Sequence, residues 1–255
     1  MCSFQNFSGC VRWYAARQPS RKTTRASNAM LVIVQARFSS QRLPGKVLRP
    51  MAGKPMLAWV YERLRAARGA THIMVATSQD KSDDPVAGFC NSGGIDCFRG
   101  SLHDVAERLA AAARSAEAHA FVRVSGDSPL MLPAIVDDVI DLFECARPDL
   151  ATNVQLRTFP KGMSVEAIAL EGLDRARAIM LPGEEEHVTP PFYRQPERFR
   201  IVNLTSGHDF GAVQLSVDSA EDFALAEAML RAGAASMSLA DLVALRERCR
   251  AEVPA

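Results

Sequence analysis

The chain lacks the cysteine spacing of a metal site and the long apolar run of a membrane protein. Its six cysteines include no C-x-x-C pair, which excludes the usual spacing of zinc ligands and gives no sign of a disulfide framework. No stretch approaches about 18 uninterrupted apolar residues, so we expect no membrane-spanning segment. Reduced thiols and a cytoplasmic location are the interpretation that follows from these absences.

An excess of basic charge is also lacking, except at the start of the chain. The net charge of the 255 residues is +1, but residues 1–29 contain five arginines and lysines and no acidic residue. The remainder carries 25 basic and 29 acidic side chains, so general nucleic-acid binding is not expected. Because an apolar run begins directly at Met30, we predict that residues 1–29 are a disordered extension, such as an upstream start codon would add. A targeting peptide is the alternative for this Arg-rich stretch.

Two well-known phosphate-binding loops are absent as well. A P-loop requires a glycine five positions before Gly45-Lys46 and a Ser or Thr after them, but Ser40 and Val47 stand there. A dinucleotide-binding fingerprint requires G-x-G-x-x-G directly after the first strand, and this turn has no such run. Any phosphate-binding loop in this chain must therefore be of another kind.

What the chain does have is an apolar run followed by a cationic loop. Leu31–Val34 is a short, β-branched run of the kind found in a parallel strand that is buried on both faces. Three cations follow among turn-forming residues, namely Arg37, Arg42 and Lys46. These charges repel one another at the end of a strand, and a polyanion such as a nucleoside triphosphate would relieve that repulsion. The pattern therefore predicts a triphosphate-binding loop.

Apolar runs and helical patterns alternate along the rest of the chain. With helical patterns between them, further strands are predicted at residues 72–77, 95–98, 120–124, 165–170 and 214–217. Such alternation predicts a mostly parallel sheet with helices on both faces, which is a three-layer α/β/α fold. The rhythm changes over residues 149–205, which we interpret as an inserted segment beside the nucleotide half. Residues 30–255 are predicted to form one domain that includes this segment.

Two aspartates lie just after predicted strands. Asp127 comes after the strand at 120–124, and Asp218 comes after the strand at 214–217. Because the carboxyl ends of parallel strands meet at one edge of the sheet, Asp127 should face the cationic loop. Magnesium takes one or two carboxylates together with phosphate oxygens and water, which makes Asp127 and Asp218 candidate metal ligands. The alternatives are a turn carboxylate for Asp127 and a helix-dipole partner for Asp218.

Several of these motifs resemble those of the nucleotide-sugar cytidylyltransferases. The family pattern QAR-x-SS-x-RLPGK is matched at Gln35–Arg37, Ser39-Ser40 and Arg42–Lys46. Gly126–Pro129 matches the G-D-x-P motif, and Val217–Asp222 matches the V-D-[ST]-x-E-D motif. Over residues 31–230 the chain resembles the SpsF-like cytidylyltransferases, which are named after spore-coat polysaccharide synthesis. They are relatives of the CMP-Kdo and CMP-acylneuraminate synthetases.

The resemblance implies a fold of the nucleotide-diphospho-sugar transferase type and a reaction. In that reaction the hydroxyl of an acidic sugar attacks the α-phosphate of CTP and expels pyrophosphate, for surface polysaccharide synthesis. It also implies Mg²⁺ on Asp127 and Asp218, and a homodimer formed through the inserted segment. The catalytic residues that it implies are Arg37, Arg42, Lys46 and Asp127. The nucleotide-binding residues that it implies are Gln35, Ala36, Arg37, Ser39, Arg42, Lys46, Ser125 and Asp127.

The sugar-binding residues are expected in the inserted segment. The candidates that could bind a carboxylate and hydroxyls are Arg157, Lys161, Glu166 and His187. The family usually has an aspartate two residues before the glutamate, where this chain has Ser164, and this difference leaves the identity of the sugar open. A surface or cap histidine is the alternative for His187. We interpret Arg123, which lies within the fourth strand, as structural.

Two other functions compete with this interpretation. A glycosyltransferase that consumes a nucleotide-sugar generally needs an Asp-x-Asp metal motif, and the chain contains no D-x-D. A non-catalytic relative that only binds a nucleotide is the second alternative. Such a protein usually loses a site charge, whereas Lys46, Asp127 and Asp218 are all present here.

Overall fold

The computed structural model of the protein describes residues 11–15, 30–40 and 42–252. The described strands are β1 (Val11–Ala15), β2 (Met30–Gln35), β3 (Pro50–Met51), β4 (Lys54–Pro55), β5 (Ala70–Ser78), β6 (Asp96–Gly100), β7 (Ala120–Ser125), β8 (Leu150–Thr152), β9 (Glu166–Ala169) and β10 (Ile201–Thr205). The α-helices are α1 (Met56–Arg65), α2 (Asp84–Ser92), α3 (Val105–Ser115), α4 (Pro133–Ala146), α5 (Leu170–Arg177), α6 (Glu184–His187), α7 (Pro190–Arg194), α8 (Ala220–Arg231) and α9 (Leu239–Glu252). Single 3-10 turns lie at Lys46–Leu48, Lys81–Asp83, Pro196–Arg198 and Ala234–Ser236. Among the helices described, none is long and apolar enough to cross a bilayer.

Eight of the described strands form one sheet in the order β1-β10-β8-β9-β7-β2-β5-β6. Neighbours pair in parallel except β9, which runs antiparallel to both β7 and β8. β3 and β4 form a separate two-stranded hairpin. The prediction of a mostly parallel sheet is confirmed.

Apolar layers cover both faces of the sheet because the strands are apolar on both sides. In β2, Val32 and Val34 belong to a core that also contains side chains of α1, α4 and α8. Leu31 and Ile33 point to the opposite face, into a second core with side chains of α3 and α5. This three-layer arrangement is the predicted α/β/α fold, and it leaves the loops at the strand ends free to build a site.

The structure differs from the sequence predictions at three places. Residues 11–15 form β1 beside β10, where no regular structure was predicted, while residues 1–10 and 16–29 lie outside the described part. The segment 149–205 supplies β8, β9 and β10 to the main sheet, so it is continuous with the sheet.

The strand predicted at 214–217 is instead an extended loop with one isolated bridge between Gln214 and Lys161. The backbone of this segment pairs with loops and not with any of the described strands. The amide of Val217 donates to the carbonyl oxygen of Asp127, and the amide of Leu215 donates to that of Lys161. The segment therefore forms its hydrogen bonds with neighbouring loops. These bonds place it beside the carboxyl ends of the strands.

Candidate active site

The cationic loop after β2 is held in place by its own turn. Gly45 adopts the left-handed region with φ of 72°, and its amide donates to the carbonyl oxygen of Phe38 over 2.9 Å. A Cβ at Gly45 would lie 3.0 Å from the Phe38 ring, so a larger residue would meet both strain and a clash. The turn therefore requires a glycine between Pro44 and Lys46.

A buried carboxylate fixes the start of the same loop. Asp83 is 0% exposed, and its Oδ1 accepts a hydrogen bond of 2.6 Å from the amide of Phe38. Its Oδ2 accepts one of 3.0 Å from the amide of Ser78, at the end of β5. Asp83 thus ties the loop to the neighbouring strand. Sequence reasoning did not identify this residue, although its place in the turn beside Asp84-Pro85 was a visible signal.

Lys46 lies at the centre of the loop's charged contacts. It is 7% exposed, and its Nζ donates to Asp127 Oδ2 over 2.9 Å and to the carbonyl oxygen of Val217 over 2.6 Å. Asp218 Oδ1 lies 3.9 Å from the same nitrogen. The two aspartates that sequence reasoning singled out are therefore neighbours, although 91 residues separate them in the chain. Lys46, Asp127 and Asp218 form what we call the Lys46 cluster.

Asp218 is held by donors on each side of its carboxylate. Arg42 donates to its Oδ1 over 2.8 Å, and Gln214 donates to its Oδ2 over 2.9 Å. Its backbone amide donates to Asp222, the residue that completes the capping box of α8 with Ser219. The cap therefore sets the position of Asp218.

The Lys46 cluster fits a magnesium ion that is shared with phosphate groups. The described residues contain no group of three or more side chains that could hold a metal by themselves. The cluster does supply two carboxylates, with side chains 22% and 27% exposed, and Asp127 Oδ1 accepts no hydrogen bond from the described residues. Two partly open carboxylates are the donor set that magnesium uses when phosphate oxygens and water complete its shell. Asp127 and Asp218 are thus the residues that would hold it.

Arg37 lies apart from the Lys46 cluster and contacts a different element. Its Nη2 donates to Glu186 Oε1 in α6 over 2.6 Å, and its Nη1 donates to the carbonyl oxygen of Leu102 over 3.2 Å. A second arginine, Arg108, is buried nearby with 1% exposure. Burial, and next the charge of Arg37, lowers the pKa of Arg108 to about 10. Two arginines therefore lie near each other on this side of the loop, with the carboxylates of Glu186 and Asp83 beside them.

The remaining nucleotide-binding candidates lie around the junction of β2 and β7. The amide of Gly126 donates to the carbonyl oxygen of Gln35 over 2.9 Å. A Cβ at Gly126 would lie 2.9 Å from that of Ala36, so only glycine allows the two strand ends to approach. Ser125 is half-buried at the end of β7, whereas Ser39 is exposed. Ser39 forms no hydrogen bond with the described residues.

A second charged group lies beside this junction, on β7 and β9. Glu166 is 5% exposed, and its Oε2 accepts a hydrogen bond of 2.7 Å from Arg123. Its Oε1 accepts from Thr189 over 2.9 Å and from Tyr193 over 2.8 Å. Burial, and next the charge of Glu166, raises the pKa of Tyr193. Both oxygens of this candidate sugar ligand are thus already engaged.

The other three sugar-binding candidates make few contacts. Arg157 Nη1 donates to Ser164 over 3.2 Å, and Lys161 is exposed. His187 is exposed as well, and it contributes its carbonyl oxygen, which accepts from Arg123 over 3.1 Å. No hydrogen bond or ion pair joins the four candidates to one another within the described residues. Arg123, which we had interpreted as structural, is the residue that contacts two of them, Glu166 and His187.

A mostly parallel sheet between two helix layers, with a cationic loop and two aspartates at its carboxyl edge, has the arrangement of a nucleotide-binding α/β protein. The chain belongs to the cytidylyltransferase family, because the family model described as Cytidylyltransferase matches residues 31–230. It is therefore a nucleotidyltransferase. The family resemblance that the loop motifs indicated is confirmed.

Individual relatives agree with this assignment. The spore coat polysaccharide biosynthesis protein SpsF of Bacillus subtilis is 29% identical over 229 residues, which cover 87% of this chain and 95% of that protein. The 3-deoxy-manno-octulosonate cytidylyltransferase of Vibrio cholerae is 38% identical over 131 residues, 49% of this chain and 50% of that enzyme. The solved structure of a cytidylyltransferase from Leptospira borgpetersenii superposes with a TM-score of 0.81 at 30% identity, covering 88% of this chain and 95% of that one.

Proposed function

We propose that this chain transfers CMP from CTP to an acidic sugar of the Kdo or acylneuraminate type, with release of pyrophosphate, for surface polysaccharide synthesis. The observation that carries the proposal is the Lys46 cluster, in which a buried lysine joins two aspartates at the carboxyl edge of the sheet. The names of the relatives support the sugar class, since one is a 3-deoxy-manno-octulosonate cytidylyltransferase and another a polysaccharide biosynthesis protein. Because CTP is a cytoplasmic nucleotide, the proposed reaction would take place in the cytoplasm, which is the predicted location.

The cations of the loop would bind the triphosphate in different ways. Lys46 is buried and held by two hydrogen bonds, with a third oxygen 3.9 Å away, so it is preorganised to face developing negative charge. Arg42 is 73% exposed, so its pair with Asp218 is weakly held and exchangeable for a phosphate. Arg37 would likewise exchange Glu186 for a phosphate oxygen. As the sugar hydroxyl attacks the α-phosphate, these cations stabilise the charge that builds on the departing pyrophosphate.

Asp127 and Asp218 would hold Mg²⁺, which supplies further positive charge against the triphosphate. Lys46 and Arg42 form ion pairs with these two carboxylates.

The sugar would be bound on the side of β7 and β9. Arg157 and the exposed Lys161 supply positive charge that suits a sugar carboxylate, and His187 supplies a polar ring. Glu166 would act through the groups that it holds, since its own oxygens are engaged. A homodimer formed through residues 149–205 remains part of the proposal.

The proposal is tested by measuring pyrophosphate release from the full chain with Mg²⁺, each of the four ribonucleoside triphosphates and a panel of acidic sugars. Release with CTP and one acidic sugar, lost in Asp127→Asn, would support the cytidylyltransferase and identify its sugar. Binding of CTP without release across the panel would favour a non-catalytic relative. Absence of CTP binding would contradict the proposed role of the Arg37–Lys46 loop.

A further inference from the structure

Arg123 connects three elements at the edge of the site. Its Nε donates to Gln35 Oε1 at the end of β2 over 2.8 Å. Its Nη1 donates to Glu166 Oε2 on β9 over 2.7 Å and to the carbonyl oxygen of His187 over 3.1 Å. The side chain is only 16% exposed, so the guanidinium is held between these acceptors.

The partner carboxylate is fixed as firmly as the arginine. Glu166 is 6% exposed in its side chain, and Thr189 and Tyr193 donate to its other oxygen. The Tyr193 hydroxyl is protonated at neutral pH, as for any tyrosine, and burial and the charge of Glu166 raise its pKa further, so it donates to the carboxylate. The carboxylate cannot rotate without breaking several hydrogen bonds in a buried place. Arg123 therefore has one orientation.

The orientation of Arg123 determines which end of Gln35 faces it. A guanidinium carries only donors, so the amide oxygen of Gln35 must point to Arg123 Nε. The amide nitrogen must then point the other way, where it donates to no residue in the described part of the chain. Gln35 is half-buried, and it stands directly before Ala36 and Arg37 at the start of the cationic loop. Among the described residues, this amide NH₂ thus has no partner beside the proposed nucleotide site.

We propose that Arg123 is a positioning residue that fixes Gln35 so that its amide NH₂ donates to an acceptor oxygen of CTP. The inference rests on the proposed function and assigns Arg123 a role beyond packing. Its physical basis is the chain of contacts from Tyr193 and Thr189 through Glu166 and Arg123 to Gln35. A purely structural Arg123 would need only the oxygen of Gln35 and would leave the NH₂ without a function.

The variant Gln35→Glu distinguishes a purely structural contact with Arg123 from donation of the Gln35 NH₂ to CTP. Glutamate keeps an oxygen that can face Arg123 Nε, but it replaces the outward NH₂ donor by a second, negatively charged acceptor. We expect the variant to melt at or above the temperature of the native chain and to bind CTP at least about tenfold more weakly, measured by titration calorimetry with Mg²⁺. Unchanged CTP affinity would overturn the inference.

A surface glutamine in the same relationship to an arginine provides the matched control. Gln195 Oε1 accepts a hydrogen bond of 3.1 Å from Arg198 in the turn that follows α7. Gln195→Glu makes the same chemical change away from the loop. Its CTP affinity should stay within about twofold of the native value. A tenfold loss in this control as well would show that added negative charge alone weakens binding, which would overturn the inference.

A double-variant cycle tests whether Arg123 acts through Gln35. Arg123→Lys keeps a positive charge for Glu166 but loses the planar fork that reaches both partners. In the native background it should weaken CTP binding about threefold to tenfold, because the Gln35 amide becomes free to rotate. In a Gln35→Met background, which has no amide to orient, the same change should have almost no effect. Equal losses in both backgrounds would contradict a positioning role.

The starting measurement distinguishes failure of this inference from failure of the proposed function. If the native chain does not bind CTP, the proposed function fails first. If the native chain binds CTP and Gln35→Glu binds it equally well, only the role of Arg123 and Gln35 is contradicted.

Discussion

The Lys46 cluster and the Arg123–Glu166 pair lie at the same edge of the sheet, but they differ in how their charges are satisfied. In the Lys46 cluster the partly open Asp218 pairs with an exposed arginine, Arg42, that lies outside the cluster, and one oxygen of Asp127 has no hydrogen-bond partner in the described structure. In the Arg123–Glu166 pair the glutamate is buried, the arginine side chain is only 16% exposed, and both carboxylate oxygens accept hydrogen bonds. The first arrangement can exchange its partners for a ligand, whereas the second holds its neighbours still. A substrate site needs both exchangeable charged groups, which bind the ligand, and fixed ones, which position its neighbours.

The largest effect on stability is expected from breaking the buried pair. Glu166→Gln removes the only full negative charge that contacts Arg123 within the described residues. We expect the free energy of unfolding to fall by about 2–4 kcal/mol, because a largely buried guanidinium is left without a counter-charge. Urea denaturation measures this loss. Glu171→Gln, at a 91% exposed glutamate paired with Arg175, should cause no measurable change. If Glu166→Gln lowers the free energy of unfolding no more than this control does, the Arg123–Glu166 pair does not stabilise the fold.

The largest effect on activity is expected at the buried lysine. Lys46→Met keeps the length of the side chain but removes the charge beside Asp127. The rate of pyrophosphate release, kcat, should fall about 10²–10³-fold, as for the loss of one preorganised group that stabilises developing charge. Lys81→Met at an exposed lysine should keep the native rate. If kcat falls less than about tenfold in Lys46→Met, the lysine contributes to binding and not to stabilising the charge that develops during the reaction.

A smaller effect is expected at the exposed member of the same loop. Arg42 is 73% exposed, so water and salt screen its interaction with Asp218 and with a phosphate. Arg42→Ala should lower kcat/KM for CTP about tenfold, with a larger loss at low ionic strength than at high. The measurement is the steady-state rate at two salt concentrations. A salt-independent loss as large as that of Lys46→Met would contradict the contrast between buried and exposed cations.

The smallest effect is expected from the contact between α6 and Arg37. Glu186, which is 55% exposed in its side chain, forms an ion pair with Arg37. Glu186→Gln should raise CTP affinity about threefold in titration calorimetry, because a phosphate no longer competes with a carboxylate. Glu185→Gln in the same short helix should leave the affinity unchanged. Weaker binding in Glu186→Gln would instead show that Glu186 orients Arg37 for the nucleotide.

Local sequence was enough to predict the parts of the site that are contiguous in the chain. The run from Met30 to Lys46 indicated β2 and the cationic loop, because β-branched residues and turn-forming residues act over short distances. Strand–helix alternation indicated which strand ends share an edge, and that placed Asp127 near Lys46. Asp218 was predicted from a strand at 214–217 that the structure does not contain, with support from the family motif, and its position depends instead on the cap of α8.

Contacts between distant segments were not predictable in the same way. Asp83 serves the loop as a buried acceptor 45 residues away from Phe38, and nothing in its local pattern shows which amide it will meet. Arg123 and Glu166 meet because β9 runs antiparallel beside β7, a pairing that strand–helix alternation does not indicate. The apolar alternation of residues 214–217 favoured a strand, but its hydrogen bonds go to loop carbonyl groups.

CMP transfer at the Lys46 cluster is tested most directly with CTP labelled at either the α- or the γ-phosphate, together with Mg²⁺ and the acidic sugar that supports turnover. We expect the α-label to appear in a sugar nucleotide and the γ-label in pyrophosphate. Both products should be lost in Asp127→Asn, a variant that should melt within a few degrees of the native chain. Transfer of γ-label to the sugar, or full activity in Asp127→Asn, would contradict the assignment of the Lys46 cluster as the site of CMP transfer.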